Sequence, residues 1–229
     1  MAKPMFDAQA LIAQFETATA QQGEQVRKAV ADATLQALQG RELTLKNIRS
    51  TLKSVTDAAG AGVAKNLLPG VDAESLLDKA VAGMDDALLQ AVEANRVALG
   101  KLVAQGADLR EKHLKKALDE MEKFEDSLMG AVRKASEGAG AQLGAQWGSV
   151  LEKMQLGGTL SGAQATTTAE QLIGQMQTAM RDSRAASLRA AQALAESYTA
   201  MVSGVLIGMS DALQKGGAAK PAATPRKKA

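Results

Sequence analysis

Three features of the sequence predict an all-α fold. Alanine, glutamine, glutamate, lysine and leucine dominate the 229 residues, and these are strong helix formers. Aromatic residues make up only 2% of the chain and β-branched residues are few, which withholds the side chains that favour strands. Larger apolar residues recur at alternating spacings of three and four, as helices burying one stripe require. Much of the 46% hydrophobic content is alanine, which buries little area, so a thin core is expected. The architecture that follows is an elongated long-helix bundle or a set of coiled-coil-like hairpins, ending in a disordered C-terminal tail.

An N-terminal helical pair is expected over residues 5–68. Its first helix spans Phe6 to Leu38, with Leu11, Phe15, Val26, Val30 and Ala33 near one face and Gly40 at its end. A second helix starts near Glu42. Leu45, Ile48, Leu52, Val55 and Ala59 follow in strict 3-4-3-4 spacing, a seam suited to self-association. Leu67-Leu68-Pro69-Gly70 ends it, because proline removes a backbone donor and clashes with the preceding turn.

Residues 72–136 come next, with no proline over their whole length. Asp72 is suited to cap the helix and Val71 to staple onto Leu76. An unbroken helix here would be a rod of roughly 95 Å at about 1.5 Å per residue. Gly106-Ala107-Asp108 offers a break instead, with Asp108 as N-cap and Glu111 at the third helical position. Leu102 and Leu109 stay seven apart across it, so the apolar phase leaves both readings open. The second half is densely charged, which marks a solvated face.

Residues 137–165 are rich in glycine and read as a flexible connection carrying one short amphipathic helix, 143–154, with the single tryptophan Trp147. The last helix is expected over 167–215. Thr167-Thr168-Ala169-Glu170 has the form of a capping box. Leu172, Ile173, Met176, Met180, Leu194, Tyr198, Met201, Val202, Val205, Leu206 and Met209 then recur at mostly helical spacing. Methionine among small residues makes an adaptable, lightly hydrophobic surface. These residues are the candidates for contact with an apolar surface.

Residues 216–229 form a Lys/Ala/Pro tail. From Lys215 onward there are five basic residues and no acidic one, leaving 22 basic against 25 acidic before it, a body of about −3. Lys220, Arg226, Lys227 and Lys228 could neutralise phosphates, giving weak, salt-sensitive contact with nucleic acid.

No catalytic, cofactor-binding or metal-ligating constellation emerges. There is no cysteine, and the only histidine, His113, stands among Lys112, Lys115 and Lys116. Glycines 138–148 lack the Gly-Lys-Ser/Thr ending of a phosphate loop. Asp85 and Asp86 occupy adjacent helix positions and face different directions. A non-enzymatic role is expected, with no cofactor. No window reaches the ~18 apolar residues of a transmembrane helix and no signal-peptide core is present, so the expected location is the cytoplasm.

Met5-Phe6-Asp7-Ala8-Gln9-Ala10-Leu11 and Ala191-Gln192-Ala193-Leu194-Ala195-Glu196-Ser197-Tyr198, with the ending Lys220-Pro221-Ala222-Ala223-Thr224-Pro225-Arg226-Lys227-Lys228-Ala229, resemble the phasins. These proteins coat bacterial polyhydroxyalkanoate storage granules. The resemblance lies at the two ends and implies amphipathic helices coating a hydrophobic polymer. A thin core that opens at modest cost would also let the stripes lie on a lipid surface, and it favours a homo-oligomer through the Leu45–Ala59 seam. Two other readings stand beside it: a nucleoid-associated or DNA-tethering protein acting through the tail, and a coiled-coil scaffold for a protein partner.

Overall fold

The fold is all-α. The computed structural model describes residues 7–19, 22–39, 44–66, 70–104, 111–182, 198 and 201–210, and among these no strand occurs. The expected helix over Phe6–Leu38 is divided into α1 (Ala8–Thr17) and α2 (Gly23–Leu38). Asp7 caps α1, its carboxylate accepting from Ala10 N at 3.0 Å. Ala18 then turns extended (φ −68°, ψ 133°). The polar Thr17–Gln25 stretch has no apolar stripe to hold the two halves in line, and Gln22 Oε1 instead accepts from the Thr19 amide at 3.0 Å. Next comes α3 (Leu45–Lys65), capped by Thr44, which accepts from Asn47 N at 3.3 Å.

Residues 72–136 do not form one rod. They contain α4 (Ala73–Ala104) and α5 (Glu111–Gly138), and the segment with the candidate break, 105–110, lies outside the described residues. That the two helices fold back on each other follows from what they grip. The amide of Leu160 donates to Asp85 on α4 at 2.7 Å, while the neighbouring amide of Thr159 donates to Glu125 on α5 at 3.0 Å. On a straight helix those carboxylates would stand about 60 Å apart at ~1.5 Å per residue. They meet at consecutive residues, so α4 and α5 form a hairpin.

The glycine-rich region is helical too. α6 (Ala141–Gly157) exceeds the short piece expected at 143–154, and α7 (Leu160–Asp182) begins seven residues before the expected capping box. Two of its glycines, Gly144 and Gly162, admit close neighbours. A Cβ at Gly144 would lie 2.9 Å from Ser136 O, and Ser136 Oγ donates to Gly144 O at 3.1 Å, so α5 and α6 touch backbone to backbone. Gly158 alone in this region needs left-handed backbone, at φ +68°, to turn the chain from α6 into α7. Trp147 and Val150 are buried in the common core.

The capping box failed because α7 already had a stronger start. Asp85 accepts from the amides of Leu160 and Ser161, and Glu125 from the amide and hydroxyl of Thr159. Two carboxylates from other helices thus satisfy the orphan donors and the positive end of α7. Thr167 is left mid-helix, bonding back to Ala163 O.

At the centre of the bundle is α4. None of its residues from Ala73 to Gly100 is exposed. Leu76, Leu77, Ala80, Met84, Leu88, Ala91, Val92 and Leu99 are buried along its length. Gly83 lets α2 come within backbone contact: a Cβ there would lie 2.3 Å from Arg27 O. A bidentate pair from Arg27 to Asp86, at 2.6 and 2.7 Å, fixes the same crossing. On the far side Lys153 of α6 bridges Glu74 and Asp78 at 2.7 and 2.6 Å.

Candidate apolar-contact surface

The C-terminal segment presents an uncharged surface. Residues 201–210, Met-Val-Ser-Gly-Val-Leu-Ile-Gly-Met-Ser, are helical and contain no charged side chain. Val202 and Leu206, four apart, point into the core and are buried. Met201, Val205 and Met209 are half-buried and pack beside them. The outward positions are Gly204, Ile207 and Gly208, with Ile207 42% exposed. A surface helix ordinarily turns charged or polar residues to water. This one turns an isoleucine flanked by glycines.

Tyr198 anchors the segment. Its hydroxyl donates to Asn95 Oδ1 on α4, and Asn95 in turn donates to Ala91 O at 2.8 Å. Burial pushes the phenol well above its ordinary pKa, and the carboxylate of Glu120 on α5 pushes the same way. Asn95 lies only ten residues beyond Asp85, the residue that caps α7. A straight helix from Leu160 would carry Tyr198 nearly 60 Å away at ~1.5 Å per residue. The 201–210 segment is therefore not a straight continuation of α7, against the single last helix expected over 167–215. Its end at Ser210 sits in a groove with Asp32 and Gln36 of α2.

The other expected contact residues are dispersed. Leu172 is buried in the core and Ile173 beside it is 42% exposed. Met176 and Met180 lie on α7, but their side chains are outside the described set, as is Leu194 entirely. The seam of α3 is used within the chain: Ile48, Leu52, Val55 and Ala59 are fully buried and Leu45 half-buried. Self-association through that stripe would require α3 to leave the bundle. The basic positions Lys220, Arg226, Lys227 and Lys228 lie outside the described residues.

Sequence reasoning passed over two exposed leucines, Leu156 (84%) and Leu160 (58%), on either side of the Gly157-Gly158 turn. Hydrophobic periodicity gave no signal for them, since both sit where one helix ends and the next begins. It also passed over Ile207, which lies off the buried stripe. Asp85 and Asp86 do diverge, one capping α7 and the other pairing with Arg27. Among the described residues no group of three acidic or histidine side chains is placed to hold a metal. None of the described helices is long and apolar enough to cross a membrane.

No curated protein and no solved structure matches the chain. A family model does match residues 1–215, taking in every described helix and stopping just after the uncharged segment. The chain belongs to that family, DUF6781, a family of unknown function.

Proposed function

We propose that this chain is a non-enzymatic, phasin-like helical protein that attaches to hydrophobic granules, such as polyhydroxyalkanoate stores, or to a lipid surface of similar character. The observation that carries the reading is the uncharged outer face of residues 201–210, with Ile207 exposed between Gly204 and Gly208. Lying flat on an apolar phase, Ile207, 42% exposed, would contribute about 1 kcal/mol by removing its remaining hydrocarbon from water. Val205 and Met209, already half-buried, need only a small outward rotation to add to it. The resemblance of the two chain ends to phasins supports the same role. Self-association would accompany attachment if α3 and its neighbours opened and exposed the Leu45–Ala59 stripe.

Flotation of the purified protein with polymer granules and with triacylglycerol droplets tests this. The wild-type chain is expected in the floating fraction, and Ile207→Asp is expected to bind at least about tenfold more weakly, because the lost apolar contact adds to the cost of desolvating a carboxylate. A wild-type chain that stays in solution beside both particles, or an unaffected Ile207→Asp variant, would refute the reading.

A further inference from the structure

A second candidate site lies away from the C-terminal segment, where α3, α5 and α6 converge. They enclose a groove of about 430 Å3, within the ~300–1,000 Å3 range of small-molecule sites. Its walls are Gly60, Ala61 and Ala64 of α3 with Ala131 and Ala135 of α5, and Trp147 of α6 contributes to its floor. Small residues leave the walls smooth and apolar. The rim carries Lys53, Lys134 and Asp57. Lys53 is tied to Asp57 at 2.6 Å, whereas Lys134 has no ion-pair partner among the described residues. The mouth of the groove is therefore positive.

The floor supplies a second, independent observation. Trp147 is 1% exposed, yet its indole N–H donates to no described residue. The nitrogen faces Gly60, where a Cβ would stand 3.6 Å away. The indole nitrogen is not itself fully enclosed and borders the groove, where it can donate to an acceptor. Here the donor opens onto a glycine in an apolar groove under a cationic rim. A ligand that fits must bring its own acceptor, a negative charge and hydrocarbon.

We propose that this groove binds a single-chain aliphatic carboxylate, with a carboxylate oxygen accepting from Trp147 Nε1 below Lys134 and the chain lying along Ala61, Ala64, Ala131 and Ala135. The hydrocarbon gains burial against the alanine walls. The carboxylate gains a hydrogen bond in a site of low dielectric, and the lysine at the mouth favours the anion over neutral or cationic amphiphiles. This assignment does not depend on the granule reading, since it uses none of residues 201–210.

Trp147 is the only tryptophan, so its emission reports the site directly. The full chain would be titrated with dodecanoate below its micellar concentration while helicity is followed by circular dichroism. Dodecyltrimethylammonium would serve as the charge-reversed control. Dodecanoate should give a saturable, one-to-one change in emission at constant helicity, with the cation at least about tenfold weaker. Lys134→Gln, an exposed substitution, should weaken dodecanoate by about tenfold. Gly60→Leu should abolish binding: its Cβ meets neighbours only at 3.6–4.0 Å, and the rest of the side chain fills the groove. An equal response to the two head groups, no saturable response, or unchanged affinity in Lys134→Gln would overturn the proposal. Should Gly60→Leu lose its fold, the Lys134→Gln result still decides. Loss of helicity during the titration would also overturn it, showing helices spreading on the amphiphile instead of a filled groove.

Discussion

Helices α4 and α5 follow one another in the sequence and have similar lengths, yet their surroundings are opposite. From Ala73 to Gly100 no residue of α4 is exposed, while α5 turns Lys116, Asp119, Glu122, Lys123, Asp126, Arg133 and Lys134 to water. What separates them is side-chain size and charge. Buried alanines at 80, 87, 91, 94 and 98, with Gly83, let neighbours approach α4 closely from several sides. On α5 one stripe, Leu118, Met121, Phe124, Leu128 and Val132, is buried, and charge covers the remainder. The pair shows how one proline-free stretch can supply both the centre of a bundle and part of its shell.

That contrast can be broken experimentally, and the largest effect should come from its centre. Leu88→Ala on α4 should cost about 2–5 kcal/mol, since the side chain is fully buried and a cavity would remain; urea unfolding measures it. A loss below about 1 kcal/mol would mean that α4 is not enclosed. Asp85→Ala should come next. It leaves the amides of Leu160 and Ser161 unpaired at the start of α7, at about 1–3 kcal/mol. Hydrogen exchange should show the first turn of α7 opening before the rest of the helix.

Smaller again is the effect of alkali on Tyr198. Its folded-state pKa is raised by burial and by Glu120, so the neutral phenol is the form the bundle favours. The stability this provides is complete below the ordinary tyrosine value of about 10 and is lost as pH rises toward the higher folded value. Wild type should therefore lose more stability than Tyr198→Phe between about pH 10 and 12. Equal alkaline slopes would show that the phenol is not enclosed. The smallest change belongs to the outer face of α5. Lys123→Ala should alter stability by no more than about 0.5 kcal/mol, because Lys123 is exposed. A larger loss would show that this face is covered.

Some elements were legible residue by residue. Asp72 stands at the start of α4, where capping chemistry marks the boundary locally, whereas α3, expected from near Glu42, is capped by Thr44. The Leu45–Ala59 stripe is apolar as its spacing required, although its partner is the chain itself. The start of α7 was not legible. Its capping carboxylates, Asp85 and Glu125, come from 75 and 34 residues away in the hydrogen bonds to Leu160 and Thr159. No local pattern can announce donors and acceptors that distant. For the contact surface, spacing singled out Val202 and Leu206, which proved to be the buried side. Periodicity identifies a stripe without saying whether the core or a partner receives it.

Composition and periodicity by themselves determined that this chain is helical, that 72–104 is less charged than 111–138, and that its C-terminal segment is apolar without charge. These are properties of side chains and their neighbours within a few turns, and local propensity acts over that range. Tertiary structure alone decided the fold-back of α5 on α4, the close helix contacts at Gly83 and Gly144, and the enclosure of Trp147 beside Gly60. Each depends on two backbones meeting from distant parts of the chain, where the absence of a Cβ matters only once the partner helix has arrived.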